Sequence, residues 1–420
     1  MSEENCRVRL PASLTPLAER NFRMLWAGQA VSAIGDALVP VALAFAALSV
    51  AHTASALGLV LAVSTLSQVL ALPLGGVWSD RLPRQLVMLS SDLIRGVVQV
   101  AIAVLLLTHT AQLWHLVVGI SLFSFAGGFF TPASSALTPQ TVSATRLQQA
   151  NALMGLSRSA TWVVGPAISG VLVATVGAGW AFALDAATFA VSAISLAMLR
   201  IAPITGAERK NFWAELADGI GAVVRRRWYL LNLGAHAAWN FAFAAFLVAG
   251  PIVAKNSLGG ASAWGAISAA MGAGSIVGGL IALRVMPRRP LIVANLALTP
   301  AALQLLAMSV PVPTVVIMAA CIVGEAGLIF LNEVWFATVP QLLPADVLAR
   351  ATSFDWLLSI IAMPLGFAIT GPAIDHVGVR ATLIAAAIVM AVPCFLIVLV
   401  PGVRRVRRTE EGLVVLEGTA

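Results

Sequence analysis

Charge is scarce in this chain. Only 10% of its 420 residues are Asp, Glu, Lys or Arg, where a water-soluble domain carries about 25%. That shortage, with 60% hydrophobic residues and a mean hydropathy of +0.94, excludes a soluble globular fold. Cysteine is nearly absent. Cys6, Cys321 and Cys394 stand far apart, which excludes a disulfide framework and a cysteine-based metal site. No clustered His and Asp constellation takes its place, so neither a metal nor another cofactor is expected, and an enzyme is not expected either. No Gly-x-x-x-x-Gly-Lys-Ser/Thr loop occurs, which argues against a nucleotide-driven machine. A cleavable signal is not expected: Glu3, Glu4, Arg7, Arg9, Glu19 and Arg20 precede an apolar run far longer than a signal-peptide core.

Long apolar runs fill the space that charge leaves. A helix crosses a bilayer core of ~30 Å with about 20 residues, and these runs contain Gly and Pro instead of the alternation of a barrel strand. The expected fold is an all-α membrane protein with twelve transmembrane helices. They fall near 22–49, 54–77, 86–108, 114–138, 151–176, 179–201, 229–254, 262–284, 290–310, 313–337, 354–376 and 380–401. The net charge of +7 comes almost wholly from arginine. With both termini in the cytoplasm, 21 of the 25 Lys and Arg lie on inner segments. Only Lys255 and Arg380 lie on outer loops, and Arg95 and Arg158 sit inside spans. The positive charge therefore orients loops in a cytoplasmic (inner) membrane, and nucleic acid is not an expected partner.

An internal repeat organises the spans. At a fixed offset of 201, Pro139-Gln140 meets Pro340-Gln341, Gly165 meets Gly366, Gly170 meets Gly371 and Val176-Gly177 meets Val377-Gly378. Ala54-Ser-Ala-Leu-Gly58 likewise matches Ala261-Ser-Ala-Trp-Gly265. Duplicated halves of this kind are used by secondary transporters. The expected division is a six-helix bundle at 1–201, a linker at 202–228 with a surface amphipathic helix, a second six-helix bundle at 229–403, and a cytoplasmic tail at 404–420. The two bundles would be pseudo-symmetric and the chain a monomer.

Ionisable groups inside a bilayer cost ~2.5–3.5 kcal/mol each on insertion scales and mark functional positions. Asp36 lies near the middle of the first span, on one face with Gln29, Ser32 and Pro40. Glu325 lies at similar depth in the tenth span, with Asn332 two turns on and Glu333 beside it. Asn232, His236, Trp239, Asn240 and Phe243 form a stripe on the seventh span. Asp185 reads as interfacial near the outer end of span six, and Asp355 as a cap opening span eleven.

Gly76-x-x-x-Asp80-Arg81-x-Pro83-Arg84 resembles the loop signature of the major facilitator superfamily, with Pro83 in place of the usual Gly and Gln85 in place of a cation. Gly165-Pro166-Ala-Ile-Ser-Gly170 is similar to a signature of its exporters, and Asp36-Ala-Leu-Val-Pro40 to a first-span pattern of its drug/proton antiporters. Further echoes are Phe22-Arg23-x-Leu25-Trp26-Ala27-Gly28-Gln29, Leu147-x-x-Ala150-Asn151-Ala152-Leu153 and Phe182-x-x-Asp185-Ala186. Together they resemble the bacterial branch that holds the enterobactin exporter and macrolide-efflux transporters. The resemblance implies spans 1, 4, 7 and 10 around a central cavity, with Asp36 and Glu325 facing it from opposite halves as proton carriers. Gln29, Asp36, His236, Trp239, Asn240, Phe243, Glu325 and Asn332 would meet a small-molecule substrate. Gly76, Asp80, Arg81 and Arg84 would form a gating loop, ion-paired with Asp92, Arg95 and Arg158. Pro40, Gly165, Pro166, Gly170, Gly366, Gly371 and Pro372 would act as hinges. Span four lacks the Arg that many of these antiporters carry; Phe123, Ser124 and Phe125 occupy that region.

The expected activity is proton-coupled efflux of bulky amphipathic molecules such as drugs or siderophores, by alternating access. A facilitator or symporter importing a metabolite, and a non-transporting sensor or scaffold, are the alternatives. The charge asymmetry makes a direct prediction: a fluorescent protein fused after Ala420 will fluoresce in the cytoplasm, and alkaline phosphatase fused after Lys255 will be active outside. The reverse pattern would overturn the orientation.

Overall fold

A computed structural model describes residues 12–201, 226–343, 345–409 and 411–416. Cys6, most of the predicted linker (202–225) and the side chain of Asp80 lie outside the described residues. The chain folds into long helices at nearly every predicted span: α1 (Arg20–Val50), α2 (Ala54–Arg81), α3 (Arg84–Leu107), α4 (Leu113–Leu137), α5 (Leu147–Val176) and α6 (Ala178–Ala197). After the linker come α7 (Arg227–Val253), α8 (Ala261–Ala282), α9 (Pro290–Met308), α10 (Thr314–Leu342), α11 (Ala345–Val377) and α12 (Val379–Leu396). Eleven helices among the described residues are long and apolar enough to cross a membrane, and the 33-residue α11 stands beside them. The protein is a multi-pass membrane protein.

Two local departures have simple causes. The α9 region, read as one continuous span, contains a 3-10 turn at Thr299–Ala301 because Pro300 supplies no N–H to an α-helical ladder. The tail is not wholly irregular: strands β1 (Val406–Arg408) and β2 (Val414–Leu416) form an antiparallel hairpin. Val414 N–H donates to Gln341 Oε1 at 2.9 Å, and Arg408 N–H donates to the Arg288 carbonyl at 2.9 Å, which pin the hairpin to the end of α10 and to the α8–α9 loop. The fold is thus all-α apart from this short ribbon.

Lipid does not solvate the backbone, so helix association rests on close packing of small residues. Helix α1 packs on α5 and α6, α2 on α4, and α3 on α4 and α6; α7 packs on α11 and α12, and α8 and α9 on α10. Two seams link the early helices to the late ones: α2 with α11 and α5 with α8. The repeat appears in the seams. A Cβ added to Gly58 would fall 2.6 Å from the Phe367 carbonyl oxygen and 3.4 Å from Gly371 Cα, and one added to Gly170 would fall 2.7 Å from the Ala261 carbonyl oxygen and 2.9 Å from Gly265 Cα. Gly165 meets Ala37 of α1 as its repeat partner Gly366 meets Phe241 and Ala244 of α7.

The tight contacts of the α2–α11 seam lie where α2 begins, and those of the α5–α8 seam run from the start of α8 to its middle, where a Cβ added to Gly272 would fall 2.6 Å from the Trp162 carbonyl oxygen. Near the opposite ends, Gly76 of α2, Gly155 of α5 and Gly279 of α8 have no described atom within 4 Å of an added Cβ. Gly75, next to Gly76, does make a close helix approach, an added Cβ falling 2.5 Å from the Gly128 carbonyl oxygen. One seam carries a polar contact besides. Asp375 of α11 accepts the backbone N–H of Ala54 at 3.2 Å and of Ser55 at 3.0 Å, and the Ser55 hydroxyl. It satisfies N–H groups that the first turn of α2 leaves without helical partners.

The loop between α2 and α3 is only Leu82 and Pro83. Arg84 Nη1 donates to the Ala136 carbonyl at 2.9 Å, near the end of α4. Gln85, in the position where a cation is usual, donates Nε2 to the Leu196 and Leu199 carbonyls at 2.7 and 3.2 Å, at the end of α6. Both side chains thus cap helix C-termini, whose carbonyls are short of donors.

Steric crowding of backbone against backbone cannot be relieved by a rotamer change. Gly170→Val is expected to destabilise the purified protein by ~1–3 kcal/mol, whereas Gly76→Ala should leave its melting temperature unchanged. Thermal unfolding in detergent checks the pair.

Candidate functional site

A charged cluster lies between α1, α3, α4 and α6. Its centre is Arg95, whose side chain is 8% exposed. Nη2 of Arg95 donates to Asp36 Oδ1, and Nη1 lies 3.9 Å from Asp92 Oδ1. The guanidinium lies 4.5 Å from the centroid of Phe123 and 4.3 Å from that of Phe189, two rings that meet edge to face, with Phe130 at 5.9 Å. Aromatic faces carry partial negative charge and hold a cation where water cannot. The region of α4 that lacks an arginine therefore supplies rings to an arginine from α3.

The acids around it differ in their surroundings. Asp92 is fully buried and accepts the Ser192 hydroxyl at 2.6 Å on Oδ2. Asp185 is also fully buried and accepts Gln99 Nε2 and, at 3.4 Å, the Thr188 hydroxyl. Its expected interfacial position is corrected: α6 packs along α1, and Gly35 brings the two backbones together beside Asp185. Asp36 lies deep among the helices, yet its side chain is 38% exposed.

The pairing expected between Arg95 and the Asp80 loop involves a side chain outside the described residues. Arg95 turns inward to Asp36, because the α3 face that carries it packs between α4 and α6. Arg158 is exposed on α5 and has no ion-pair partner among the described residues. Of the first-span stripe, Gln29 and Ser32 are buried, and Gln29 Oε1 accepts the Ser134 hydroxyl of α4 at 3.1 Å. Pro40 is exposed, and α1 runs unbroken through it.

The second constellation is a cavity of about 270 Å³ among the late helices. His236, Trp239 and Asn240 of α7, Asn332 and Trp335 of α10 and Asp355 of α11 contribute to its wall. Four of these were expected at a substrate site. Phe243 stands behind the wall, stacked on Trp239 at 4.9 Å. Glu325 does not line the cavity; it is 6% exposed and packs where α10 meets Gly274 of α8. Asp355 does not cap α11, which starts ten residues earlier at Ala345, and accepts Trp335 Nε1–H at 2.8 Å. Beneath the cavity, Asn295 Nδ2 donates to Asn232 Oδ1 at 2.8 Å. Two buried ring nitrogens on the wall, His236 Nε2 and Trp239 Nε1, have no hydrogen-bond partner among the described residues. They leave the wall able to give or take hydrogen bonds.

Some of these residues were visible as patterns. Asp92, Arg95 and Gln99 repeat at helical spacing on α3, and Asp185, Phe189 and Ser192 do so on α6. Either stripe marks a buried polar face. Nothing local marked Asp355 or Trp335.

A family model for the Major Facilitator Superfamily matches residues 25–366. Macrolide efflux protein A of Streptococcus pyogenes is 22% identical over 366 residues, covering 86% of this chain and 90% of the relative. Multidrug efflux pump Tap of Mycolicibacterium fortuitum is 25% identical over 383 residues, covering 86% and 91%. Enterobactin exporter EntS of Salmonella paratyphi A is 28% identical over 201 residues, covering 47% and 48%. Among solved structures, the peptide transporter POT superposes with a TM-score of 0.71 at 14% identity, covering 93% of this chain and 95% of that one. A bacterial homolog of the human lysosomal transporter Spinster, inward-facing and unoccupied, superposes at 0.67 with 13% identity, covering 92% and 97%. At such identities the structural likeness shows the fold alone. With the sequence match spanning most of its length and its helices arranged as in these transporters, the chain belongs to the major facilitator superfamily.

Proposed function

We propose that the protein exports bulky amphipathic small molecules across a cytoplasmic membrane in exchange for protons. Twelve spans, α11 included, form two pseudo-symmetric six-helix bundles with both termini in the cytoplasm, and the chain works as a monomer. The observation that carries the reading is Asp36. It is a carboxylate at mid-span, partly exposed and ion-paired with an arginine that two phenyl rings border. A proton arriving at Asp36 removes the charge that holds Arg95, so proton binding and the α1–α3 contact are linked. Glu325 is the second proton carrier, placed on α10 at the junction with α8.

The cavity on α7, α10 and α11 receives the substrate. Its rings suit an apolar body, and its amides, orphan ring nitrogens and carboxylate suit a few polar groups. The efflux relatives support this choice of cargo and direction. Rocking about Gly165, Gly170, Gly366 and Gly371, where neighbouring helices come closest, would alternate the opening between the two sides.

Asp36→Asn should abolish acid-driven accumulation of a labelled macrolide in inverted membrane vesicles while leaving the protein folded and its melting temperature near wild type. Accumulation at the wild-type level would rule out Asp36 as the coupling acid. Trp239→Ala should raise the KM for the same macrolide several-fold with a smaller effect on the maximal rate, measured in those vesicles.

A further inference from the structure

Arg95 has two carboxylates within reach and uses one. It is bonded to Asp36 of α1, while Asp92 Oδ1, one helical turn back on its own helix, is fully buried, 3.9 Å from Nη1 and without a hydrogen-bond partner. A buried carboxylate oxygen with no donor requires an explanation, since such atoms are nearly always satisfied. The other oxygen of Asp92 is fixed by Ser192, so the free one is held facing the guanidinium. Phe123 and Phe189 approach that guanidinium at 4.5 and 4.3 Å as an edge-to-face pair, their own centroids 5.8 Å apart. The charged groups at this slot are Asp36 from α1, Asp92 and Arg95 from α3 and Asp185 from α6, the last held by Gln99; α4 contributes Phe123 and Phe130.

We propose that Arg95 is a positioning residue with two seats, Asp36 Oδ1 and Asp92 Oδ1, and that Asp92 is the seat it takes when Asp36 is protonated. The inference rests on the reading of Asp36 as the proton-binding acid. The proton comes from water at the exposed side of Asp36 and stays on its carboxyl group. The guanidinium keeps its charge and slides by about 1 Å, from 3.9 Å to the ~2.8 Å of a charge-assisted bond. Loss of the proton reverses the slide. The cation has a carboxylate in either seat, so it is never left unpaired in low dielectric. What changes is mechanical: a bond between α1 and α3 is replaced by one within α3, and α1 is released.

The test needs no substrate. Protein in lipid nanodiscs, labelled with 15N at the arginine Nη positions, should give an Arg95 resonance displaced by the ring currents of Phe123 and Phe189, identified by its loss in Arg95→Lys. Acidification should move that resonance in the wild-type protein. Asp36→Asn should hold it at the acid position at neutral pH. Asp92→Asn should leave the neutral-pH position intact and abolish the acid one, and Asp92→Glu, a second variant if the first does not fold, should retain the movement. An Asp36→Asn resonance at the neutral wild-type position, or an Asp92→Asn resonance that moves as wild type does, would overturn the proposal. If the resonance behaves as expected but wild-type vesicles accumulate no macrolide, the two-seat switch stands and the exporter reading falls.

Discussion

A charge inside a hydrocarbon layer must carry its own solvent. For Arg95 that solvent is one carboxylate from α1 and two aromatic faces, from α4 and α6. Much of the early half of the fold can be read as support for this arrangement. Gly35 lets α6 come close enough to set Asp185 beside the pair, Gly165 brings α5 onto α1 next to Asp36, and Gln99 and Ser192 fix the neighbouring acids. Without these contacts three acids and one base would be gathered where each alone is costly to bury.

The late half solves a different problem with the same architecture. Its polar groups border an open cavity, so water or a guest can satisfy them. The wall is built mainly of rings: Tyr229 stacks on Trp335 at 5.5 Å, and His236 meets Trp335 edge-on at 5.0 Å. The repeat thus carries different side chains in its two copies: a buried charged cluster among the early helices and a ring-lined cavity among the late ones. Gln99 and Gln304, both fully buried on corresponding helices, mark the shared frame; Asp185 accepts from the first, and the second has no partner among the described residues.

The helices were legible because hydrophobicity in a membrane protein is a long, strong signal. Most ends fall within a few residues of where composition puts them. α11 is the exception that explains an error: it begins in Ala345-Asp-Val-Leu-Ala-Arg350, too polar to read as part of a span, so Asp355 looked like a cap. The glycine seams were legible through the repeat. The charged cluster was only partly so. The spacing of Asp92, Arg95 and Gln99 is in the sequence, but which helix faces that stripe is a property of packing, and one residue of helical rotation would change the answer. Asp36 was identified by depth alone, and its partner needed the third dimension.

The seams are alike in their glycines but not in their polar contacts. The position on α5 that corresponds to Asp375 under the repeat is Ala174, so α8 begins without the carboxylate that α2 receives. Contact between small residues weakens gradually as helices part, because dispersion fades over fractions of an ångström. A carboxylate on paired backbone donors holds its grip and then lets go within a short distance. The α2–α11 seam therefore carries a carboxylate clasp that the α5–α8 seam, joined by small residues, lacks at the corresponding position.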